Sequence, residues 1–241
     1  MARPSHTPEQ APPEALSVIV LACNEADNVG PVLHELLAWL GEHEPSAEVL
    51  FVDDGSTDDT AAIAEKALGG ARSKVLRHPR KRGIGAGIKT GTVAAAGPWV
   101  TFLPADGQIE PAAVGTLRAE AARSGCPLVL SVYEQREDGG LRKLLSWGVR
   151  TLIRVIHGVD LRCEGPYLFR RELFDADVLE PDSFFLNFEF PIRVLRAGCE
   201  VSVAEVRCRP RIGGASKTAN LKTILRVSTD LVSLRLRLWR E

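Results

Sequence analysis

The sequence predicts a single α/β domain with a mostly parallel central sheet flanked by helices. Short apolar runs, rich in β-branched and aromatic residues, occur at 16–22, 49–52 and 99–103, as expected of strands that are covered on both faces. Each run stops at a polar or acidic loop, and after the first two the apolar residues return at helical spacing. Repetition of this unit favours right-handed crossovers and therefore parallel strands.

The expected elements follow one another in a regular order. The first strand, at residues 16–22, leads into a helix whose apolar positions run from Val32 to Leu40, with Pro31 expected in its first turn. The later elements are a strand ending at Asp53, a helix at 60–68, a strand at 74–77, a helix that starts in the glycine-rich stretch at 83–89, a strand at 99–103, a helix opened by Pro111, a strand at 126–133 and a helix at 141–158. This alternation is typical of an α/β domain.

The composition excludes several classes of protein. The 241 residues include 30 Lys and Arg against 31 Asp and Glu, and the net charge of −1 gives no overall attraction to nucleic acid or anionic lipid. Five cysteines, an odd number without a Cys-x-x-Cys pair, argue against a disulfide framework and favour a reducing cytoplasm. No apolar run approaches the ~20 residues that cross a bilayer, so no transmembrane span is expected. Residues 1–15, with four prolines, are expected to be a disordered leader.

Polar side chains follow the first two strands. Asn24 and Glu25 come after the first strand, and Asp53 and Asp54 close the second. In an open α/β sheet the loops at the carboxyl ends of the strands form the ligand crevice, so these side chains are expected along the edge of a nucleotide-sized pocket. The alternative is that the acids only belong to the cap of the next helix. Capping explains residues 56–59 better than it explains Asp53, which precedes the helix by several positions.

A basic, glycine-rich stretch at residues 80–89 opens the third helix. Glycine lets backbone approach a phosphate closely, and a helix N-terminus with nearby cations favours negative charge, so a pyrophosphate is the expected partner. The glycines at 83, 85 and 87 lack the Gly-x-Gly-x-x-Gly spacing of a dinucleotide fingerprint, which argues against a dehydrogenase. A flexible loop with a solvated basic face is the alternative.

Asp106 follows the strand at 99–103 and is a candidate ligand for a hard divalent cation, because such cations prefer oxygen ligands. The alternative is an ordinary turn aspartate beside Gly107.

Glu189 stands among aromatic and aliphatic residues at 184–192. Desolvation raises the pKa of a carboxyl group, which suits a general base that takes a proton from an acceptor hydroxyl. The alternative is a buried ion pair with Arg193, one helical turn away. A phosphate acceptor would need no base, because it is already an anionic nucleophile.

Two later segments, the helix at 141–158 and the tail at 218–241, are amphipathic and basic. Each can pack its apolar face on the core, lie on a membrane surface, or form a homo-oligomer interface.

Together these motifs resemble the inverting family 2 glycosyltransferases of GT-A (Rossmann-like) fold, and within them the dolichol-phosphate mannosyltransferase-like branch. The resemblance extends from residue 16 to residue 217. Its motifs lie at 24–25, 52–58, 80–89, 105–108, 142–146, 165–171 and 211–217. Each motif is short, and their number and order carry the assignment.

The resemblance implies a donor site for a nucleoside diphosphate sugar, a GDP- or UDP-sugar. Its base and ribose would be held by Ala22, Asn24, Glu25, Asp53 and Asp54, and nearby lie Lys81, Arg82, Gly85 and Lys89. Asp106 matches the second acid of the family's Asp-x-Asp metal motif and would bind Mg²⁺ or Mn²⁺. A segment that closes over the diphosphate is matched by Arg211, Ser216 and Lys217, with Arg142 as a further cation near the leaving group.

Two positions depart from the family pattern. Pro104 replaces the first acid of the metal motif, so a cation would rely more on phosphate oxygens and water, and its affinity is expected to be modest. Ala22 and Cys23 replace the proline and aromatic residue often found before Asn-Glu, which leaves stacking on the base unsupported.

The activity that the resemblance implies is transfer of a sugar with inversion, with Glu189, Arg211 and Lys217 as catalytic residues and a polyprenyl phosphate as a candidate acceptor. Residues 16–108 would form the nucleotide-sugar-binding half, 109–217 the acceptor-binding half and 218–241 a basic tail. The expected location is the cytoplasm, with peripheral contact at the inner face of the membrane, and nucleic acid is not an expected partner. The alternatives are a soluble glycosyltransferase acting on a saccharide or specialised metabolite, a nucleotidyltransferase, and a non-catalytic module that binds a nucleotide sugar.

Overall fold

The structure is a computed structural model that describes residues 14–70, 72–134, 140–209 and 221–239. Within these ranges the strands are β1 (Leu16–Ala22), β2 (Glu48–Asp53), β3 (Ser73–Arg77), β4 (Trp99–Pro104), β5 (Leu128–Tyr133), β6 (Leu168–Arg170) and β7 (Val201–Val206). The helices are α1 (Ala26–His43), α2 (Thr60–Ala67), α3 (Ile84–Ala94), α4 (Ala112–Ser124), α5 (Gly140–His157), α6 (Leu186–Arg196) and α7 (Leu221–Leu238), with a short 3₁₀ helix at Arg171–Leu173.

The described strands form one sheet in the order β3-β2-β1-β4-β6-β5-β7. All pairs are parallel except those of β6, which runs antiparallel to both β4 and β5. The predicted α/β domain with a mostly parallel sheet is therefore confirmed. In the register, Ala22 stands beside Asp53 and Leu21 beside Pro104, so the carboxyl ends of β1, β2 and β4 finish level with one another.

Both faces of the sheet are covered, which explains the uninterrupted apolar runs of the central strands. Every residue of β1 is buried. One face packs against helices α1 and α4, with Leu33, Leu36 and Leu117 fully buried. The other face packs against α3, α6 and α7, through residues that include Ile88 and Phe190.

The structure departs from the sequence expectations in two local features. Helix α1 begins at Ala26, so Pro31 lies in its second turn rather than its first. Strands β6 and β7 carry no clear strand pattern in the sequence. Strand β6 is only three residues long and only two of the six residues of β7 are buried, so neither shows the apolar run of a central strand.

Helices α5 and α7 pack against each other on one side of the domain, where the buried ring of His157 makes a 3.0 Å hydrogen bond between its Nε2 and the backbone oxygen of Leu231. In the part of the chain that the structure describes, no helix is both long enough and apolar enough to cross a membrane.

Candidate functional site

The candidate site lies at the carboxyl edge of the sheet, at the ends of β1, β2 and β4. The chain runs from β1 outward through β2 and β3 and then returns to β4 on the other side of β1. This reversal is a topological switch point, where open α/β sheets leave a crevice for ligands. The strand-end residues Ala22, Asp53 and Asp106 all lie beside it.

The loops after β1 and β2 are tied together by Asn24. Its backbone has a left-handed φ of 55°, a conformation that asparagine tolerates better than most residues. Its N–H donates to the hydroxyl oxygen of Ser56 at 2.9 Å, and its Oδ1 accepts from the N–H of Thr57 at 2.8 Å. The Asn24 amide therefore shapes the two loops, which a ligand at this edge would have to contact together.

Glu25 belongs to a second tie between the same loops. Its N–H donates to Thr60 Oγ1 at 2.8 Å, and its Oε2 accepts from Asn28 Nδ2 at 2.7 Å. Asp58 accepts from the N–H of Thr60 at 3.1 Å, which is the capping role that the sequence indicated for this stretch. The Ser56 hydroxyl oxygen, in contrast, accepts its hydrogen bond from the N–H of Asn24 rather than from an N–H of the helix.

Asp53 and Asp54 have different environments although they are adjacent. Asp53 is 4% exposed at the end of β2, and its Oδ1 accepts from the N–H of Ser56 at 3.1 Å. Asp54 turns toward the next loop, where its Oδ1 accepts from His78 Nδ1 and Arg82 N and its Oδ2 accepts from Gly83 N, each at 2.8 Å. Asp54 thus braces the basic glycine loop.

The pKa of Asp54 lies below its usual value. Burial by itself would raise it, and the hydrogen bonds from His78, Arg82 N and Gly83 N outweigh that effect. The carboxylate is therefore ionised at neutral pH and holds the loop by charge-assisted hydrogen bonds.

The glycine-rich start of α3 is covered by residues 180–183 of the same chain. A Cβ atom on Gly85 would come within 2.5 Å of the backbone oxygen of Ser183, so only glycine fits this close approach. Ala86 N donates to the backbone oxygen of Asp182 at 3.1 Å. Close packing against the backbone of residues 182 and 183 therefore explains why glycine occupies positions 83 and 85. The predicted contact of these glycines with a pyrophosphate stays a prediction.

Asp182 also forms ion pairs with two of the predicted phosphate-binding cations. Its carboxylate pairs with Arg82 NH2 at 3.0 Å and with Lys89 Nζ at 2.9 Å. Burial would raise the pKa of Asp182, but the two cations hold it below its usual value. No feature of the sequence singled out Asp182, because it lies 100 positions from Arg82. Lys81, the third of the predicted cations, is exposed.

Asp106 lies just beyond β4 and is buried. Its Oδ1 accepts from the N–H of Gln108 at 3.1 Å, and Gly107 between them has a φ of 72°. Among the described residues, no three His, Cys, Asp or Glu side chains are grouped in a way that could hold a metal ion. Asp106 is the carboxylate predicted for this position, and a cation bound to it would need a ligand's phosphate oxygens to complete its coordination.

A cavity of about 120 Å³ opens beside the end of β4. Pro104 and Ile109 form one wall, and Phe184, Asn187 and Phe188 at the start of α6 form another. Asn187 carries no distinctive sequence signal, because it is an isolated asparagine in an aromatic stretch.

Glu189 is fully buried on α6 and is ion-paired. Its Oε1 lies 3.0 Å from Arg193 Nε, and its Oε2 lies 2.6 Å from Arg237 NH2 on α7. Arg237 also pairs with Glu180. Burial raises the pKa of Glu189 above its usual value in spite of the two guanidinium groups. The ion pair with Arg193 is therefore present, and the general-base role stays a prediction.

The remaining predicted residues have no described side chains. Arg211, Ser216 and Lys217 lie outside the described residues, and Arg142 falls within α5 at a position whose side chain is not described. Most of the expected leader, residues 1–13, lies outside them as well.

The sheet order, the antiparallel β6 and the acidic strand ends at the switch point define a GT-A fold glycosyltransferase domain. The family model described as Glycosyl transferase family 2 matches residues 17–178, and the chain belongs to this family.

Similar proteins agree with this assignment. A dolichyl-phosphate beta-glucosyltransferase of Trichomonas vaginalis is 29% identical over 90% of this chain and 69% of its own length. A dodecaprenyl-phosphate galacturonate synthase of Rhizobium johnstonii is 32% identical over 62% of this chain, and the match spans only 45% of that relative. Among solved structures, glucosyl-3-phosphoglycerate synthase of Mycobacterium tuberculosis, in complex with Mn²⁺, UDP and its glucosylated product, superposes with a TM-score of 0.68 at 21% identity. That match covers 93% of this chain and 79% of the synthase.

Proposed function

We propose that this chain transfers a sugar from a GDP- or UDP-sugar, with inversion, to a polyprenyl phosphate. Family membership and the acidic strand ends at the switch point support the donor. Relatives named as a dolichyl-phosphate beta-glucosyltransferase and a dodecaprenyl-phosphate galacturonate synthase support the acceptor. The observation that carries the choice of acceptor is the full burial and double ion pairing of Glu189.

The environment of Glu189 bears on the kind of nucleophile that the site can use. A hydroxyl acceptor needs a base that removes its proton, and a base must come within hydrogen-bond reach of that proton. Both oxygens of Glu189 contact guanidinium groups, and the side chain is 0% exposed. A phosphate acceptor is already anionic and attacks the anomeric carbon directly, so the proposed reaction does not call on Glu189 as a base.

The donor's nucleoside is assigned to the loops after β1 and β2. Ala22, Asn24 and Glu25 would line one side of the base and ribose, and Asp53 the other. Asp54 is assigned a positioning role, since its carboxylate holds the loop that carries Lys81 and Arg82.

The donor's diphosphate is assigned to the basic glycine loop. A diphosphate and the Asp182 carboxylate are both anions, so they would compete for Arg82 and Lys89. The bond to the anomeric carbon breaks as negative charge develops on the leaving diphosphate. Arg211, Ser216, Lys217 and Arg142 are proposed to stabilise that charge.

Asp106 is proposed to hold a Mg²⁺ or Mn²⁺ ion that arrives with the donor. When bound, such a cation neutralises part of the leaving-group charge. With Pro104 in place of a second carboxylate, the cation's affinity in the absence of nucleotide is expected to be low.

Contact with an anionic bilayer is proposed for the outer surface of α5 and α7. Apolar side chains stand exposed there, among them Val232 and Leu236 on α7, Trp239 just beyond its end, and Trp147 on α5. Arg235 on α7 is exposed beside them. Tryptophan and arginine on one amphipathic surface are typical of peripheral binding to acidic lipid. The proposed location is accordingly the cytoplasmic face of a membrane.

Transfer assays test the function. The purified chain is incubated with UDP- and GDP-sugars and with a polyprenyl phosphate in anionic vesicles, with Mg²⁺, with Mn²⁺ or with chelator, and the glycolipid is measured by mass spectrometry. Asp53→Ala is expected to weaken donor binding, and Asp59→Ala, an exposed change nearby, serves as its control. Transfer only to free saccharides would favour the soluble alternative, and donor binding without transfer to any acceptor would favour the non-catalytic module.

Vesicle sedimentation tests the membrane contact. Trp239→Ser and Trp147→Ser should each reduce binding to anionic vesicles, because both rings are exposed. If this surface instead covers a second copy of the chain, the same changes would alter the mass measured by light scattering and leave vesicle binding unaffected.

A further inference from the structure

Arg209 joins three separate parts of the fold. It lies just beyond β7, and its guanidinium group pairs with both carboxylate oxygens of Glu35 on α1, at 3.1 and 3.0 Å. Its Nε donates to Oε1 of Glu110, the second residue before α4, at 2.7 Å. A bidentate pair between arginine and a carboxylate fixes the direction of the side chain as well as its distance. The end of β7 is thereby held against α1 and against the loop that leads into α4.

The backbone of Arg209 holds the same loop at a second point. Its N–H donates to the backbone oxygen of Gln108 at 2.7 Å, and its carbonyl oxygen accepts from Gln108 Nε2 at 3.4 Å. Ile109 and Cys208 form an antiparallel bridge between these two segments. Gln108 is therefore fastened to Arg209 through both its backbone and its side chain.

The turn that ends at Gln108 carries Asp106, the carboxylate assigned to the cation. Asp106 Oδ1 accepts from the N–H of Gln108 at 3.1 Å, so the direction of the carboxylate depends on where the Gln108 peptide group points. The start of the loop is held separately, because Ala105 N donates to the backbone oxygen of Leu21 at 2.9 Å. Removing a partner that orients a metal-binding side chain typically weakens metal binding by roughly tenfold or more.

We infer that Arg209 is a positioning residue for the donor's cation. It holds the loop through Gln108 and Glu110 and touches neither the nucleotide nor the cation. In this way it sets the direction of the Asp106 carboxylate, and with it the affinity for Mg²⁺ or Mn²⁺ once the nucleotide is present. The inference rests on the proposed function and adds to it a residue that acts through the loop after β4.

Manganese and nucleotide binding, measured separately, test the inference. UDP and GDP are titrated into the wild type and Arg209→Met by calorimetry, with Mn²⁺ or with chelator, and free Mn²⁺ is followed by electron paramagnetic resonance at saturating nucleotide. In Arg209→Met, Mn²⁺ should bind about fivefold more weakly, less than for a direct partner because the backbone contacts of Arg209 remain. The nucleotide affinity in chelator should stay within about twofold, a difference that general loss of folding would not give.

The matched control is Arg118→Met. Arg118 on α4 pairs with Glu44 at the end of α1, so it joins the same two helices, and its side chain is 13% exposed against 39% for Arg209. Its loss should lower the melting temperature at least as much, because the pair is more buried, and should leave Mn²⁺ affinity within about twofold. Glu110→Gln is a second variant, and it should weaken Mn²⁺ binding as Arg209→Met does because it removes the loop's own carboxylate from the pair.

The outcomes separate this inference from the proposed function. Unchanged Mn²⁺ affinity in Arg209→Met and Glu110→Gln, equal weakening of the nucleotide with Mn²⁺ and with chelator, or an equal loss of Mn²⁺ affinity in Arg118→Met would each overturn the inference and leave the proposed function intact. A wild type that binds neither nucleotide, or binds both equally well with Mn²⁺ and with chelator, would overturn the proposed role of Asp106 and this inference with it.

Discussion

Replacing Asp54 by alanine tests how the strand-end acids divide their work. The Asp54 carboxylate receives three hydrogen bonds of 2.8 Å, from the His78 ring and from the backbone N–H groups of Arg82 and Gly83. Asp54→Ala leaves these donors without their acceptor. The loop that carries the basic residues should then lose its fixed conformation.

The size of the effect follows from the contacts. A hydrogen bond to a charged group contributes about 1.5–3 kcal/mol to stability. Because water can replace the carboxylate at part of this half-exposed loop, we expect the free energy of unfolding to fall by about 3 kcal/mol rather than by the sum of three such bonds. For a domain of this size the melting temperature should fall by roughly 6–12 °C. Differential scanning calorimetry at neutral pH measures it.

The pH dependence gives an independent reading. Because the pKa of Asp54 is lowered on folding, its contribution to stability is present above the ordinary value of 3.8 and is lost as the pH falls through the folded-state value below it. The difference between wild type and Asp54→Ala should therefore shrink below about pH 4. The control is Asp59→Ala, which removes an exposed carboxylate that makes no capping hydrogen bond. Equal melting temperatures for the two variants at neutral pH would refute the assignment of Asp54 as the brace of the loop.

Three further predictions use the same unfolding and binding measurements. Gly85→Ala should lower the free energy of unfolding by about 2 kcal/mol or more, since its Cβ would come within 2.5 Å of a backbone oxygen. The control is Gly41→Ala, where a helix position with open space should gain about 0.5–1 kcal/mol. Equal effects of the two changes in urea unfolding would contradict the close approach at Gly85. Arg237→Met should cost about 1.5–3 kcal/mol because it leaves Glu189 paired with Arg193 alone, and Arg237→Met combined with Glu189→Gln should cost less than the sum of those two changes made singly; simple additivity would speak against a coupled pair. Asp182→Asn should strengthen UDP or GDP binding by about twofold to fivefold, because it removes an anion that competes for the loop cations, and weaker binding in calorimetry would count against that competition.

Much of the fold follows from local pattern. Strands β1, β2 and β4 are buried on both faces and therefore read as continuous apolar runs, and the acids at their ends mark the crevice. The antiparallel β6 does not follow from pattern, because three residues carry too little periodicity and strand direction depends on partners elsewhere in the chain.

The candidate site divides in the same way. The positions of Asn24, Asp53 and Asp106 at the crevice edge are predictable, because each directly follows a strand with a clear signal. The sequence allows Glu189 to be either a base among apolar residues or a member of an ion pair. In the fold, Arg237 of α7, 48 positions further along the chain, lies beside its carboxylate.

The sequence by itself determined the alternating strands and helices as far as β5, the acidic strand ends and the family, because these depend on local composition and on motifs kept in a fixed order. Only the tertiary structure decided that Asp54 braces the basic loop, that Asp182 occupies two of its cations and that Glu189 is held in an ion-pair network. The physical reason is that the contacts of Asp54 with the loop, of Asp182 with its cations and of Arg237 with Glu189 join residues 28 to 100 positions apart, where electrostatic pairing and burial leave no periodic trace in the sequence.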